Sequence, residues 1–148
     1  LRMVPAQRKR AGYEDALRSA LPDQPLRIIE TLYSYEGGAT AADSLLGQGC
    51  TGIVCGSDIM ALGVIAGARS RGTSIPRDLS VIGYDDSALI PMTDPPLTTV
   101  RQPVAAICRA AATTLMSLIA GQEVPDTEML FAPDLIVRGS TAPVPGTE

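Results

Sequence analysis

The sequence alternates short apolar runs with longer helical segments, and this alternation constrains the fold more than any other feature. The runs at 51–55 (TGIVC) and 78–85 (DLSVIGYD) have the length and apolar content of buried strands. A helical pattern follows the first run at 57–72, and another follows a further strand (97–100) at 103–121. Repeated strand–helix units connect parallel strands. The sequence therefore predicts an α/β domain, with a mainly parallel sheet flanked by helices on both faces.

The remaining segments extend the same pattern toward both ends of the chain. Residues 6–21 have the apolar spacing of a helix that ends before Pro22, and residues 39–49 predict a second helix. Residues 25–33 (PLRIIETLY) predict an additional strand. Late strand signals lie within 128–141, and we expect residues 142–148 to form a polar tail.

Composition excludes several classes of protein. Apolar residues make up 45% of the 148 and charged residues 19%, which is typical of a globular chain and not of a disordered one. The net charge of −4 argues against a nucleic-acid-binding surface on this chain, because contacts to phosphates need clustered Lys and Arg. No stretch approaches the ~18 consecutive apolar residues of a membrane-spanning helix, so we expect no membrane association.

Cysteine and histidine usage predicts a reduced protein without a metal centre. Cys50, Cys55 and Cys108 are odd in number and lack C-x-x-C spacing, and the chain contains no His. Few ligands therefore remain for a zinc ion. Unpaired thiols indicate a cytoplasmic location.

The segment GQGCTG (47–52) matches the spacing G-x-G-x-x-G, but it does not predict a dinucleotide site. That motif needs a strand before it and a helix after it, so that the phosphate meets helix N–H groups. Here a predicted helix precedes the glycines and a strand follows them. We expect no bound cofactor.

Three predicted strands end in polar or aromatic residues: Tyr33, Ser57 and Asp85. Ligands of parallel α/β sheets bind beyond the carboxyl ends of the strands, where these side chains would meet. A carboxylate accepts two hydrogen bonds at once, which suits the adjacent hydroxyls of a sugar, and an aromatic ring stacks on the sugar's apolar face. Spacing alone supports equally well a core role for Tyr33, a helix cap at Ser57 and a loop-capping role for Asp85.

Asp85 and Asp86 also suggest a metal-dependent enzyme, but this alternative is weaker. Neighbouring side chains in an extended segment point to opposite faces, so the two carboxylates converge poorly on one ion. The chain has no His and no pattern of an activated nucleophile. We therefore predict no catalytic residues and no metal site.

The long run from 51 to 103 resembles the effector-binding core of the lactose/galactose-repressor family of bacterial transcription regulators. The resemblance rests on the motifs SDIMALG (57–63), DLSVIGYDD (78–86) and PPLTTVRQP (95–103). The flanking segments RAGYEDAL (10–17) and LIVRGST (135–141) are similar to family segments as well.

This resemblance implies a fold, a function and partners. In such regulators an N-terminal helix-turn-helix headpiece binds operator DNA, and two sub-domains like those of periplasmic sugar-binding proteins close around an effector. Residues 1–148 correspond to the C-terminal portion of the effector-binding domain, in a periplasmic-binding-protein-like (type I) fold, without the headpiece and most of the N-terminal sub-domain. The implied partners are a small-molecule effector such as a sugar, operator DNA only through the absent headpiece, and a second copy in a homodimer.

The resemblance also assigns effector-binding roles to five positions. Asp85 matches the family's effector-binding aspartate, Ser57 a polar position before the helix, and Tyr33 an aromatic that stacks on the effector. Gln102 lies at a position near the cleft. Lys9 departs from the pattern, because the family usually has Arg there, and Lys lacks the planar fork that binds two acceptors at once.

The helix predicted at 57–72 is apolar over most of its circumference, which suggests a second partner besides the sheet. The family dimerises partly through this region, so the resemblance places Met60, Leu62, Val64 and Ile65 in a dimer interface. An ordinary buried helix is the alternative. A transport-type sugar-binding protein of the same fold is the rival function, and a signal peptide upstream would identify it.

Overall fold

The computed structural model describes residues 3–143 and contains four helices and a four-stranded sheet within them. In chain order the elements are α1 (Val4–Ala20), α2 (Tyr35–Gly47), β1 (Gly52–Val54), α3 (Asp58–Ser70), β2 (Ser80–Asp85), β3 (Thr98–Arg101), α4 (Val104–Ile119) and β4 (Asp134–Ile136), with one turn of 3-10 helix at Ile90–Met92. Of the predicted polar tail 142–148, residues 144–148 lie outside the described residues.

The sheet has the order β1-β2-β3-β4 and is mostly parallel. β2 pairs in parallel with β1 on one side and β3 on the other, whereas β4 pairs antiparallel with β3. The predicted mainly parallel α/β architecture is therefore confirmed. Its parallel strands all end at the same edge of the sheet.

The core lies between the sheet and a layer formed by α2 and α3. Glycines bring these two helices into close contact: a Cβ added to Gly63 would lie 1.9 Å from the carbonyl oxygen of Tyr35, and one added to Gly38 would lie 2.1 Å from that of Met60. Residues without side chains are needed there because the backbones pack directly against each other. Beneath them, Leu79, Val81 and Leu97 are fully buried.

The packing of α2 on α3 corrects part of the predicted dimer interface. Val64 and Ile65 are only 2% and 5% exposed and belong to the core of the chain itself, so their assignment to an interface is wrong. The apolar surplus of α3 is covered by α2, which lies against it. Met60 and Leu62 are partly buried and pack against the same core, and their interface role stays a prediction.

Residues 25–33 do not form the predicted strand. The segment has no regular secondary structure and joins no sheet in the described part of the chain. Ile28 and Ile29 of this segment and Gly52–Val54 of β1 line the same cavity, of about 780 Å³. An apolar extended segment becomes a strand only when another strand pairs with it.

The helices α1 and α4 bury no residue completely. α4 follows β3 directly and exposes apolar side chains such as Leu115 and Ile119. Between residues 3 and 143, no helix is long and apolar enough to cross a membrane.

Candidate functional site

Three parallel strands end side by side and bring the predicted effector residues to one edge of the sheet. Gly56 and Ser57 follow β1, Asp85 closes β2, and Gln102 follows β3. α1 approaches this edge and contributes Lys9, whose Nζ donates a 2.8 Å hydrogen bond to the carbonyl oxygen of Gly56.

Lys9 is a partly desolvated cation held between aromatic rings. Its Nζ lies 3.5 Å from the ring centroid of Tyr84 and 5.9 Å from that of Tyr33. Both are cation–π distances, and the shorter is the stronger contact. Burial lowers the pKa of Lys9 below its ordinary value, and the nearby negative charge of Asp85 offsets only part of this effect.

Asp85 stands at the end of β2 in a backbone conformation that side chains seldom adopt, with φ of 119°. Its Oδ1 accepts a 2.6 Å hydrogen bond from Nε2 of Gln102. This bond connects the ends of β2 and β3 and uses one of the two carboxylate oxygens. Residues held in such sparsely populated conformations are concentrated at ligand-binding sites.

Ser57 occupies the N-cap of α3. Its hydroxyl accepts a 3.4 Å hydrogen bond from the backbone N–H of Met60, and the residue is 7% exposed. The structure thus gives Ser57 the capping role that the sequence left open, and its side chain is turned toward the helix.

Tyr33 is 37% exposed and packs on the loop after β1. A Cβ added to Gly56 would lie 2.9 Å from the Tyr33 hydroxyl oxygen, so the ring contacts the loop closely. Tyr33, Lys9 and Gly56 line the cavity of about 780 Å³, whereas Asp85 and Gln102 line a second cavity of about 480 Å³. The predicted residues are therefore divided between two openings. The opposite charges of Lys9, in the larger cavity, and Asp85, in the smaller one, still attract each other.

Asp85 and Asp86 point to different partners. Whereas Asp85 contacts Gln102, the carboxylate of Asp86 lies between Arg101 and Arg138. The pair does not converge on a common point, and within residues 3–143 no three His, Cys, Asp or Glu side chains group as metal ligands do. This geometry gives the metal-dependent alternative no support.

Sequence reasoning missed two residues of the site, Tyr84 and Asp58. Asp58 is 4% exposed, and its carboxylate accepts hydrogen bonds from the Thr99 hydroxyl at 2.6 Å and the Ser87 backbone N–H at 2.9 Å. It thereby fixes the loop that follows Asp86. A signal was present in Gly83, in the middle of a buried strand, where a Cβ would lie 2.4 Å from Asp58 Oδ1.

Comparison with known proteins identifies the family. Residues 3–141 match the model of the periplasmic binding protein-like domain. An uncharacterised HTH-type transcriptional regulator encoded in the aml 5' region of Streptomyces limosus is 57% identical over 98% of this chain and 43% of its own length.

Two solved structures show the same fold. A LacI family transcriptional regulator from Enterococcus faecium with bound ribose is 32% identical over 90% of this chain and 50% of its own, with a TM-score of 0.81. The lac repressor dimer bound to operator and the anti-inducer ONPF is 29% identical over 93% of this chain and 48% of its own, with a TM-score of 0.83. The chain spans about half the length of these proteins. It belongs to the periplasmic binding protein-like domain family and, within it, corresponds to the C-terminal part of the effector domain of LacI-family transcription regulators.

Proposed function

We propose that this chain is the effector-binding part of a transcription regulator and that a sugar binds at the joined ends of β1, β2 and β3. The observation that carries the proposal is the continuous set of contacts from Gly56 through Lys9 and Tyr84 to Asp85 and Gln102. This arrangement lies at the strand edge where parallel α/β sheets bind ligands. The regulator with bound ribose, which shares the fold, supports the ligand class.

The side chains at this edge suit a neutral, hydroxyl-rich ligand. Asp85 retains one carboxylate oxygen outside its bond to Gln102, and that oxygen accepts a hydrogen bond from a hydroxyl. Tyr33 is partly exposed and offers a face to the apolar side of a sugar ring. Ser57 would reach the ligand only if its hydroxyl left the cap of α3.

Lys9 contributes specificity in this proposal. Its ammonium group has three donor positions, of which the Gly56 carbonyl takes one. A point charge between two tyrosines selects ligands differently from the planar fork of Arg. We therefore expect an effector distinct from those of relatives that have Arg at this position.

The wider regulatory role follows from the relatives. They are HTH-type and LacI-family transcription regulators, and one of them is a dimer on its operator. We propose that the intact protein containing this chain is a homodimer that binds operator DNA through a separate headpiece, in the compartment that holds the DNA. Effector binding would shift the population of two arrangements of the dimer.

A thermal-shift screen of the intact protein tests the ligand site. The panel contains ribose, other monosaccharides, disaccharides, sugar phosphates and purines, each tested on the wild type and on Asp85→Asn. A ligand at ~100 times its Kd stabilises the protein by about 2.7 kcal/mol, which is a clear shift in Tm. Asp94→Asn is the matched control, because the Asp94 side chain is 97% exposed and its ion pair with Arg69 is long, at 3.7 Å.

The proposal predicts a hit that Asp85→Asn weakens and Asp94→Asn leaves unchanged. A hit that survives Asp85→Asn at full strength would place the site elsewhere on the protein. A screen without any stabilising sugar would contradict the ligand class.

A further inference from the structure

The end of β2 contains two consecutive residues with positive φ, Asp85 at 119° and Asp86 at 57°. This pair turns the chain sharply and sends the two carboxylates in different directions. Such conformations persist only where surrounding contacts hold them. For Asp86 these contacts are two arginines, Arg101 at the end of β3 and Arg138 just after β4.

Asp86 is bound at both carboxylate oxygens. Arg101 Nε donates a 2.6 Å hydrogen bond to Oδ2, and Arg138 Nη2 lies 2.7 Å from Oδ1. The N–H groups of Arg138 do not point directly at Oδ1, so this second contact is an ion pair without a well-formed hydrogen bond. The carboxylate is 5% exposed and Arg138 is 14% exposed, which shields the contact from water and salt.

The direction in which the pKa of Asp86 is shifted agrees with this geometry. Burial by itself raises the pKa of Asp86, but the hydrogen bond from Arg101 and the attraction of Arg138 outweigh burial and bring the pKa below its ordinary value. Arg138 is itself fixed, because its Nη1 donates a 2.9 Å hydrogen bond to the carbonyl oxygen of Leu97.

Arg101 stands where the chain leaves the sheet, whereas Arg138 lies beyond the far end of β4, beside Leu97 and Thr98 at the start of β3. Arg101 ends β3, after which the chain continues into residues 102–133, and Arg138 follows β4, which brings the chain back. α4, the helix of this segment, buries no residue. The segment also reaches α1 through an ion pair between Arg8 and Glu128, but both side chains are more than half exposed and such a pair is weak.

We propose that Asp86 is a positioning residue that fastens the C-terminal end of β2 to the end of β3, where residues 102–133 begin, and to the segment that follows β4. Through it, an effector bound at Asp85 would set the placement of residues 102–133. The regulatory half of this inference rests on the proposed effector site, whereas the fastening itself does not.

The test measures the placement of α4 in the intact protein by distances between two spin labels. One label is attached to Cys108, an exposed thiol on α4, and the other to a cysteine introduced at Ser70, the exposed end of α3. The substitution Cys50→Ser removes the partly exposed thiol, and Cys55 is buried. Pulsed electron resonance gives the distribution of the 70–108 distance.

Asp86→Asn is the informative variant, because Asn tolerates positive φ well and has nearly the same volume, so the substitution removes the charge and one acceptor oxygen with little change of shape. Asp78→Asn is the matched control, since Asp78 also pairs with an arginine (Arg77), but away from the site. Without ligand, we expect the distance distribution to broaden at least about twofold in Asp86→Asn and to remain at the wild-type width in Asp78→Asn.

A folded Asp86→Asn protein with the wild-type distribution would overturn the inference. Where Asp86→Asn fails to fold, Arg101→Gln is judged by the same criterion, because Arg101 is half exposed and its loss leaves the Arg138 contact in place.

A second measurement adds ribose, or the panel sugar with the largest thermal shift. In the wild type we expect the bound sugar to narrow or shift the distribution. In Asp86→Asn the sugar still raises Tm but no longer changes the distribution. A wild-type response in Asp86→Asn would overturn the coupling, whereas a panel without any binding sugar would refute the proposed function and leave the first measurement to decide the fastening.

Discussion

Asp58 provides the sharpest test of how the site is built, because its carboxylate is buried and fully used. It accepts hydrogen bonds from the Thr99 hydroxyl and from the backbone N–H and hydroxyl of Ser87. In Asp58→Asn the single side-chain oxygen serves either Thr99 or Ser87 but not both, the amide group faces the other residue, and the negative charge is lost. Hydrogen bonds to charged groups contribute about 1.5–3 kcal/mol each, so we expect a loss of about 2 kcal/mol in the free energy of unfolding.

Asp58→Ala leaves the donors of Thr99 and Ser87 without an acceptor, and we expect a larger loss of about 2–6 kcal/mol. At roughly 2–4 °C per kcal/mol for a protein of this size, Asp58→Asn lowers Tm by about 6 °C. Circular dichroism during heating measures both variants, with Asp43→Asn as the control for a surface ion pair, where the expected change stays below ~1 kcal/mol. An Asp58→Asn protein as stable as that control would refute the role assigned to this carboxylate.

Three further predictions concern packing, pH and thiol reactivity. Gly63→Ala places a Cβ 1.9 Å from a backbone carbonyl of α2 and should lower the free energy of unfolding, measured by urea denaturation, by at least ~3 kcal/mol. Gly12→Ala is the control, because a Cβ there has nothing within 4 Å and should stabilise α1 by about 0.5–1 kcal/mol. Equal effects of the two substitutions would contradict the packing of α2 on α3. The pKa of Asp86 is lowered from 3.8 on folding, so its stabilisation is complete well above pH 3.8 and disappears as pH falls through the folded-state pKa. The difference in Tm between wild type and Asp86→Asn should therefore shrink as the pH is lowered below 3.8, and a constant difference would contradict the ion pairs. Burial raises the pKa of Cys55 to about 12. At pH 8 a maleimide should therefore modify the exposed Cys108 at least about 100 times faster than Cys55, as measured by mass spectrometry of peptides. Similar rates at the two thiols would contradict the burial of Cys55.

The sequence was sufficient to predict the parallel sheet because each strand–helix unit carries its own local signal. The runs that became β1, β2 and β3 are apolar, and each helix after them has a recognisable start or end. Residues 25–33 carry a similar apolar signal, yet they form no strand, because pairing depends on a neighbour that local sequence does not specify. Val64 and Ile65 show the same limit, since only the packing of α2 decides that they are buried.

Position and resemblance predicted where a candidate site would lie, but not the contacts that its residues make. Strand ends and family motifs pointed to Asp85 and Gln102, which share a hydrogen bond. The ring contact between Lys9 and Tyr84 joins residues 75 positions apart, and no local pattern indicates it. No sequence pattern indicates the role of Asp58 as an acceptor for Thr99, because the two residues meet only once the sheet has formed.

The central claim is that Asp85 binds the effector, and a calorimetric titration of the intact protein tests it most directly. The sugar found in the thermal-shift screen is titrated into the wild type, Asp85→Asn and Asp94→Asn. Loss of one charge-assisted hydrogen bond of about 1.5–3 kcal/mol should raise Kd roughly 10- to 150-fold in Asp85→Asn, with the wild-type Kd retained in Asp94→Asn. An Asp85→Asn protein that binds the sugar with the wild-type Kd would contradict the account.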